Sequence, residues 1–183
     1  MGRIAVGMER CPLIPHQDSR GSFTEIFRES WGLGPRAIQW NLVRSEPRTV
    51  RGVHVHLAHL DYWTLVQGRA TVGFRDLRVH SPTCGLAGEM HLTGDVPEII
   101  VIPPGVAHGF QFHDVSLHIY AVTHYWDLAD ELGCKWDDLE LGIAWPSKEA
   151  VVSPRDRDAA PLIDLIMELE PHQARLYAPR SDQ

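Results

Sequence analysis

Between about residues 38 and 126 the apolar positions come in short runs, separated by Gly, Pro and Asp. IQWNLVR (38–44), TVRGVHVHL (49–57), YWTLVQ (62–67), ATVGFRDLRV (70–79), GEMHL (88–92), EIIVIP (98–103), HGFQFH (108–113) and SLHIYAVTHYW (116–126) each predict a strand. PLIDLIMELE (161–170) has helical spacing instead, with Leu162, Leu165, Ile166 and Leu169 on one stripe. Many short strands with turn signals between them predict an all-β sandwich or barrel, here a jelly roll with a few peripheral helices. A chain of 183 residues suits one domain, expected over residues 1–183, with the C-terminal helix and tail following about residue 160.

Alternation along the strands then says which side chains share a face. Residues two apart point the same way, so His54 and His56 lie on one face and Val53 and Val55 on the other. The same rule aligns His118, Tyr120, Val122, His124 and Trp126 in the last run. If both polar faces line the interior, a tyrosine and several imidazoles converge, which marks a pocket better than a core.

Composition narrows the partners. With 44% apolar and 22% charged residues the chain is of ordinary globular type. It has no apolar run near the ~20 residues a bilayer requires. MGRIAVGMERCPL lacks a signal-peptide core, so the cytoplasm is the expected location and no membrane partner is expected. Three cysteines (Cys11, Cys84, Cys134) without CxxC spacing suggest reduced thiols. A formal net charge of −7 argues against a nucleic-acid partner but allows a small phosphorylated ligand held by a few arginines. Arginines outnumber the two lysines, Lys135 and Lys148, by fifteen to two, a bias that suits bidentate phosphate contacts or reflects genome composition.

RGVHVHLAHLD (51–61) concentrates the candidate chemistry: His54, His56 and His59, then Asp61. HVH, four residues, Asp61, six residues and Gly68 resembles the first metal motif of cupins, and PPGVAH (103–108) resembles the second. On that reading His54, His56, Asp61 and His108 would hold iron, manganese, nickel or zinc. Against it, HxH arises easily by chance in a chain with eleven histidines.

A second reading draws on more of the chain. DSRGSFTEIF (18–27), QWN (39–41), RGVH (51–54), DLRVHSPTCG (76–85), IPPGVAHGF (102–110), WDDLELGIAWP (136–146) and SPRD (153–156) occur in that order. Together, over about residues 12–164, they closely resemble the dTDP-4-dehydrorhamnose 3,5-epimerase (RmlC) family. The resemblance implies a double-stranded β-helix cupin fold, a homodimer and a reaction without cofactor or metal. It also implies a nucleotide-sugar substrate, a 4-keto-6-deoxyhexose carried on a nucleotide such as dTDP. Epimerisation beside a ketone needs a base on one face, an acid on the other and a donor for the enolate oxygen. The resemblance gives His54 as base, Asp156 as the carboxylate that holds its imidazole, and Tyr120 as the acid. It places Arg20 and Arg51 on the diphosphate, and Phe23, Glu25, Gln39, Asn41 and Glu131 among nucleotide and sugar contacts. His108 falls near the reacting sugar. Asp76, Arg78, Ser81, Pro82 and Thr83 read as a structural strand end and turn, and Trp145–Pro146 as packing.

The departures from that family fall in and around the histidine stretch. His56 stands where the family has Gln, and the loop to Gly68 is about three residues shorter. Asp61 stands where a lysine is expected to stabilise the enolate; a carboxylate there opposes the charge or faces solvent. Trp126 takes the place of a second tyrosine. These changes suggest altered regiochemistry, such as inversion at C3 or C5 alone. RGxHxH with its short loop also resembles sugar 3,4-ketoisomerases, with His56 close to the substrate. A metal-dependent cupin enzyme and a non-catalytic sugar-nucleotide-binding cupin complete the alternatives.

Overall fold

A computed structural model describes residues 2–177. Three N-terminal strands, β1 (Glu9–Pro12), β2 (Pro15–Asp18) and β3 (Gly21–Thr24), precede the predicted region. They are followed by β4 (Gln39–Ser45), β5 (Val50–His56), β6 (Asp61–Gln67), β7 (Arg69–Asp76) and β8 (Ala87–Thr93). Next come β9 (Glu98–Ile102), β10 (Val106–Phe112), β11 (Ser116–Val122) and the short β12 (Glu131–Gly133). Helices α1 (Pro154–Arg157), α2 (Leu162–Leu169) and α3 (Gln173–Leu176) close the described chain. No helix among the described residues is long and apolar enough to cross a membrane.

Two five-stranded sheets, ordered β1-β9-β6-β11-β4 and β12-β5-β10-β7-β8, face each other, and β2 pairs with β3 as a separate hairpin. All the strand pairings are antiparallel, as expected of a jelly roll. Trp63, Leu65, Val72, Phe74, Met90, Ile100 and Phe112 fill the space between the sheets. The outer face of the second sheet carries Val53, Val55 and Ala107, covered by Leu162, Leu165 and Leu169 of α2 and by Leu176 of α3. Each of the three α2 leucines is at most 2% exposed, and burying such a side chain contributes about 1.5–3 kcal/mol. Ile166, expected on that stripe, is instead 39% exposed, so the contact is the narrower 162/165/169 edge. The outer face of the first sheet is covered by the N-terminal segment through Leu13, Ile26, Phe27, Leu33 and Ala37.

Two expected strands end early, each for a local reason. The run 70–79 stops at Asp76, whose carboxylate accepts from Arg78 N at 3.1 Å, Arg78 Nε at 2.8 Å, Ser81 Oγ at 2.6 Å and Thr83 Oγ1 at 2.7 Å. That buried knot bends the chain into the turn before β8, the structural role its sequence suggests. The run 116–126 stops at Val122, where Thr123 turns away, its amide donating to Leu60 O at 3.3 Å. His124 and Trp126 therefore lie outside β11 and outside the alternation expected of them.

Candidate active site

The interior between the sheets changes character along its length. Successive inward positions read Asp61, Trp63, Leu65 on β6 and His108, Phe110, Phe112 on β10, polar at one end and apolar at the other. At the polar end a cavity of about 270 Å³ opens. It is lined by His54 and His56 from β5, His118 and Tyr120 from β11, Glu131 from β12, and Arg155 and Asp156 from α1. Trp63 stacks on Phe110 at 4.6 Å between centroids, and His118 on Phe112 at 5.0 Å, forming the aromatic floor.

Local sequence explains how His54 is placed. Gly52 has φ +104°, and a Cβ there would sit 2.8 Å from His108 O and 3.0 Å from Gly109 Cα. Only glycine lets β5 approach β10 this closely. The pairing shifts register between His108 and Gly109, a bulge that sets His54 and His108 side by side. In SPRD, Ser153 caps α1 by accepting from Asp156 N at 3.1 Å, and Pro154 occupies the first turn. The cap fixes Asp156 with its Oδ1 2.8 Å from His54 Nε2. Glu131 Oε1 lies 3.1 Å from His54 Nδ1, so two carboxylates bracket the imidazole. Glu131 is itself held by Trp126 Nε1, by Arg155 Nη1 at 3.3 Å, and through its backbone carbonyl by Arg155 Nη2 at 2.9 Å.

A second cluster lies beside the first. His56 Nε2 is 3.4 Å from Asp61 Oδ2, His59 Nε2 is 3.7 Å from Asp61 Oδ1, and His108 Nε2 is 3.7 Å from Asp61 Oδ2. The loop bearing His59 is fastened by Asp130, whose carboxylate accepts from Leu57 N at 2.8 Å and Ala58 N at 3.0 Å and meets His59 Nδ1 at 2.7 Å. Asp61 is buried, which settles one expectation: it does not face solvent. Among the described residues, His56, His59 and Asp61 each place one ligand atom within 4.8 Å of the others. The metal-type set therefore contains His59 and not His54, because Asp156 and Glu131 occupy both ring nitrogens of His54.

Burial governs the charge states. It pushes the Asp61 carboxyl well above the usual carboxylate range, with Glu131 and Asp130 adding to the shift. Burial likewise holds His56 well below the ordinary imidazole range, His108 down to about 4 and His118 down to about 3. For Asp156 burial acts upward, but the contacts from His54, Ser153 and Gly52 outweigh it, and the carboxylate stays ionised. Burial and the nearby Glu131 and Asp61 raise the Tyr120 phenol above its ordinary range, keeping its proton on.

Of the residues singled out from sequence, the cavity brings together His54, Asp156, Tyr120, Arg51, His56, His108 and Glu131, with Trp126 at its edge. Arg51 Nε donates to Ser45 Oγ at 3.0 Å, presenting the guanidinium at the rim. Gln39 and Asn41 lie on the inward side of β4: Gln39 Nε2 donates to Asn41 Oδ1 at 3.1 Å and Gln39 Oε1 accepts from Trp126 N at 3.0 Å. Asn41 Nδ2 is buried without a partner. Arg20, Phe23 and Glu25 are not part of this cavity. Arg20 sits in the β2–β3 turn, paired with Asp18 at 2.6 Å, Phe23 is 65% exposed, and Glu25 lines a separate hollow beside β1. Sequence reasoning missed Arg155 and Asp130 and gave His59 no place. Arg155 was legible as the neighbour of Asp156 in SPRD; Asp130 carries no local signal.

The sequence model described as dTDP-4-dehydrorhamnose 3,5-epimerase matches residues 8–164. The chain is similar to the dTDP-4-dehydrorhamnose 3-epimerase of Streptomyces niveus, with 34% identity over 158 residues, 80% of this chain and 76% of that protein. It is also similar to NovW, a 4-keto-6-deoxy sugar epimerase from the novobiocin biosynthetic gene cluster of Streptomyces spheroides. That crystal structure superposes with a TM-score of 0.85 at 30% identity, over 94% of this chain and 92% of that one. RmlC from Legionella pneumophila, solved in complex with dTDP-4-keto-L-rhamnose, gives 0.79 at 27% identity, over 87% and 92%. A family match over most of the chain, with His54, Asp156 and Tyr120 in one cavity, places this protein in the dTDP-4-dehydrorhamnose 3,5-epimerase family.

Proposed function

We propose that the protein epimerises a dTDP-linked 4-keto-6-deoxyhexose at a carbon flanking the ketone. The observation that carries this is the His54–Asp156 contact of 2.8 Å in a cavity that also holds a protonated tyrosine. His54 removes the proton alpha to the C4 ketone, Asp156 orients the ring and stabilises the imidazolium, and Tyr120 returns a proton. Abstraction uses Nδ1, since Nε2 is committed to Asp156; the substrate therefore displaces Glu131 from its contact with Nδ1. Arg51, at the rim, binds the diphosphate, where a guanidinium makes two parallel bonds. Gln39 and Asn41 bind the nucleotide-sugar through their inward amides, and His56, His108 and Glu131 line the sugar end.

Arg20, Phe23 and Glu25 act from outside this cavity. A homodimer supports that role, because Trp40 and Leu42 on the edge strand β4, with Ile38 just before it, leave one side exposed and apolar, a surface a second copy would cover. The enzyme works in the cytoplasm as one cupin-like domain, consistent with three free cysteines.

Product analysis tests the reaction. The chain is incubated with dTDP-4-keto-6-deoxyglucose, the mixture is reduced with borodeuteride, and the released hexoses are identified. Deuterium at C4 with C3 or C5 inverted is the expected result and names the carbon. Deuterium at C3 would mean a moved ketone and a ketoisomerase; an unchanged sugar that nevertheless binds would mean a non-catalytic cupin.

A further inference from the structure

His56, His59, Asp61 and His108 stand next to the proposed proton-transfer dyad, and the proposed reaction gives them no proton to carry. Their hydrogen bonding is unusual. His59 Nδ1 faces Asp130 Oδ2 at 2.7 Å, and His108 Nδ1 faces Val106 O at 3.0 Å. Both partners accept, so each ring carries its proton on Nδ1 and turns a bare Nε2 lone pair inward. What those lone pairs meet are the oxygens of Asp61, each at 3.7 Å. Asp61 Oδ2 is buried and has no hydrogen-bond partner. Acceptors thus converge on acceptors at separations too long for hydrogen bonds. A single proton on Asp61 satisfies one of these contacts at most.

The separations do fit a metal ion. Imidazole nitrogen and carboxylate oxygen bind zinc at about 2.0–2.2 Å, which in a tetrahedron puts neighbouring ligand atoms about 3.3–3.6 Å apart. The 3.4 Å from His56 Nε2 to Asp61 Oδ2 falls on that edge, and the 3.7 Å from His59 Nε2 to Asp61 Oδ1 lies just beyond it. Imidazoles whose other nitrogen is fixed by a carboxylate or carbonyl are the usual metal ligands; Asp130 supplies that partner for His59 and Val106 for His108, while His56 Nδ1 is buried without one.

We infer that His56, His59 and Asp61 form a binding site for a divalent transition metal of the zinc type, open toward the cavity, with His108 at its edge. The metal takes the place of any proton on Asp61. Because the open side faces the cavity of His54 and Tyr120, the ion brings positive charge to the sugar end. On the epimerase reading, and resting on it, that charge serves the enolate oxygen.

The test begins with full-length protein stripped by chelator and titrated with Zn²⁺, and separately with Co²⁺. One ion per chain is expected, with visible Co²⁺ bands of a low-coordinate site and a zinc X-ray absorption shell of imidazole and carboxylate ligands. Asp61→Asn, nearly the same shape, should weaken binding by more than the ~10–100-fold that loss of an outer partner costs. Should that variant fail to fold by circular dichroism, the wild-type absorption shell decides by itself. Substoichiometric zinc, or zinc held equally well by Asp61→Asn, would overturn the site. The two readings fail separately. Stoichiometric metal without epimerisation leaves the site and removes the reaction; epimerisation by a chain that binds no metal does the reverse.

Discussion

Asp156→Asn isolates the charge of the proposed orienting carboxylate. Asp156 Oδ1 lies 2.8 Å from His54 Nε2, which puts the charge centres about 4 Å apart. At an effective dielectric of about 20 a carboxylate–imidazolium pair at that distance is worth about 4 kcal/mol. The amide oxygen of asparagine keeps a hydrogen-bond acceptor, and Glu131 remains nearby as a second negative charge. About 2–3 kcal/mol of stabilisation of the charged imidazole is then lost. At about 1.4 kcal/mol per factor of ten, that predicts kcat/KM falling by about 30- to 150-fold. The assay is initial-rate turnover of dTDP-4-keto-6-deoxyglucose, with calorimetric dTDP affinity and a thermal melt on the same preparation. Affinity for dTDP should stay near wild type, because the change lies at the sugar end. A variant within threefold of wild type would refute the dyad. So would one whose activity falls only in proportion to lost dTDP binding.

Gly52→Ala forces a Cβ to within 2.8 Å of His108 O at φ +104°, so both the melting temperature and turnover should fall; an unchanged enzyme would show that close approach to be unimportant. Leu165→Ala opens the α2 contact and should cost about 2–5 kcal/mol in denaturant unfolding while the folded fraction keeps its specific activity. Asp76→Asn leaves Arg78 buried with its charge uncompensated and should cost about 3–5 kcal/mol, far more than Asp18→Asn at the exposed Arg20 pair. Burial alone would raise the Asp76 pKa, but bonds from Arg78, Ser81 and Thr83 depress it below the ordinary value. Its contribution is therefore present above pH ~4 and lost as pH falls through the depressed folded value, so wild-type stability should drop faster with acid than that of Asp76→Asn.

What the sequence made legible follows the strength of its periodic signal. Val53 and Val55 against His54 and His56 is a clean alternation, and the two pairs do point to α2 and to the cavity. The strands β1, β2, β3 and β12 were not anticipated, because ERCP, PHQD, GSFT and ELG are short and mostly solvent-facing or half-buried, with no apolar face to read. Trp126 reaches the cavity from a turn and not from β11, its amide tied to Gln39, which alternation cannot foresee. Asp61 was read as an anion or a surface group; its burial depends on β6 facing β10 across the interior, a contact between distant segments. The same holds for Asp130, which acts on a loop 71–73 residues away in sequence.

Solvent-deuterium incorporation tests the central claim most directly, because it registers proton removal even if product returns to substrate. In D₂O, wild-type protein should place deuterium at C3, C5 or both in dTDP-4-keto-6-deoxyglucose, and His54→Asn should bind dTDP normally yet incorporate almost none. Incorporation by His54→Asn at the wild-type rate, or no incorporation by wild-type protein with sugar-nucleotide bound, would contradict the account.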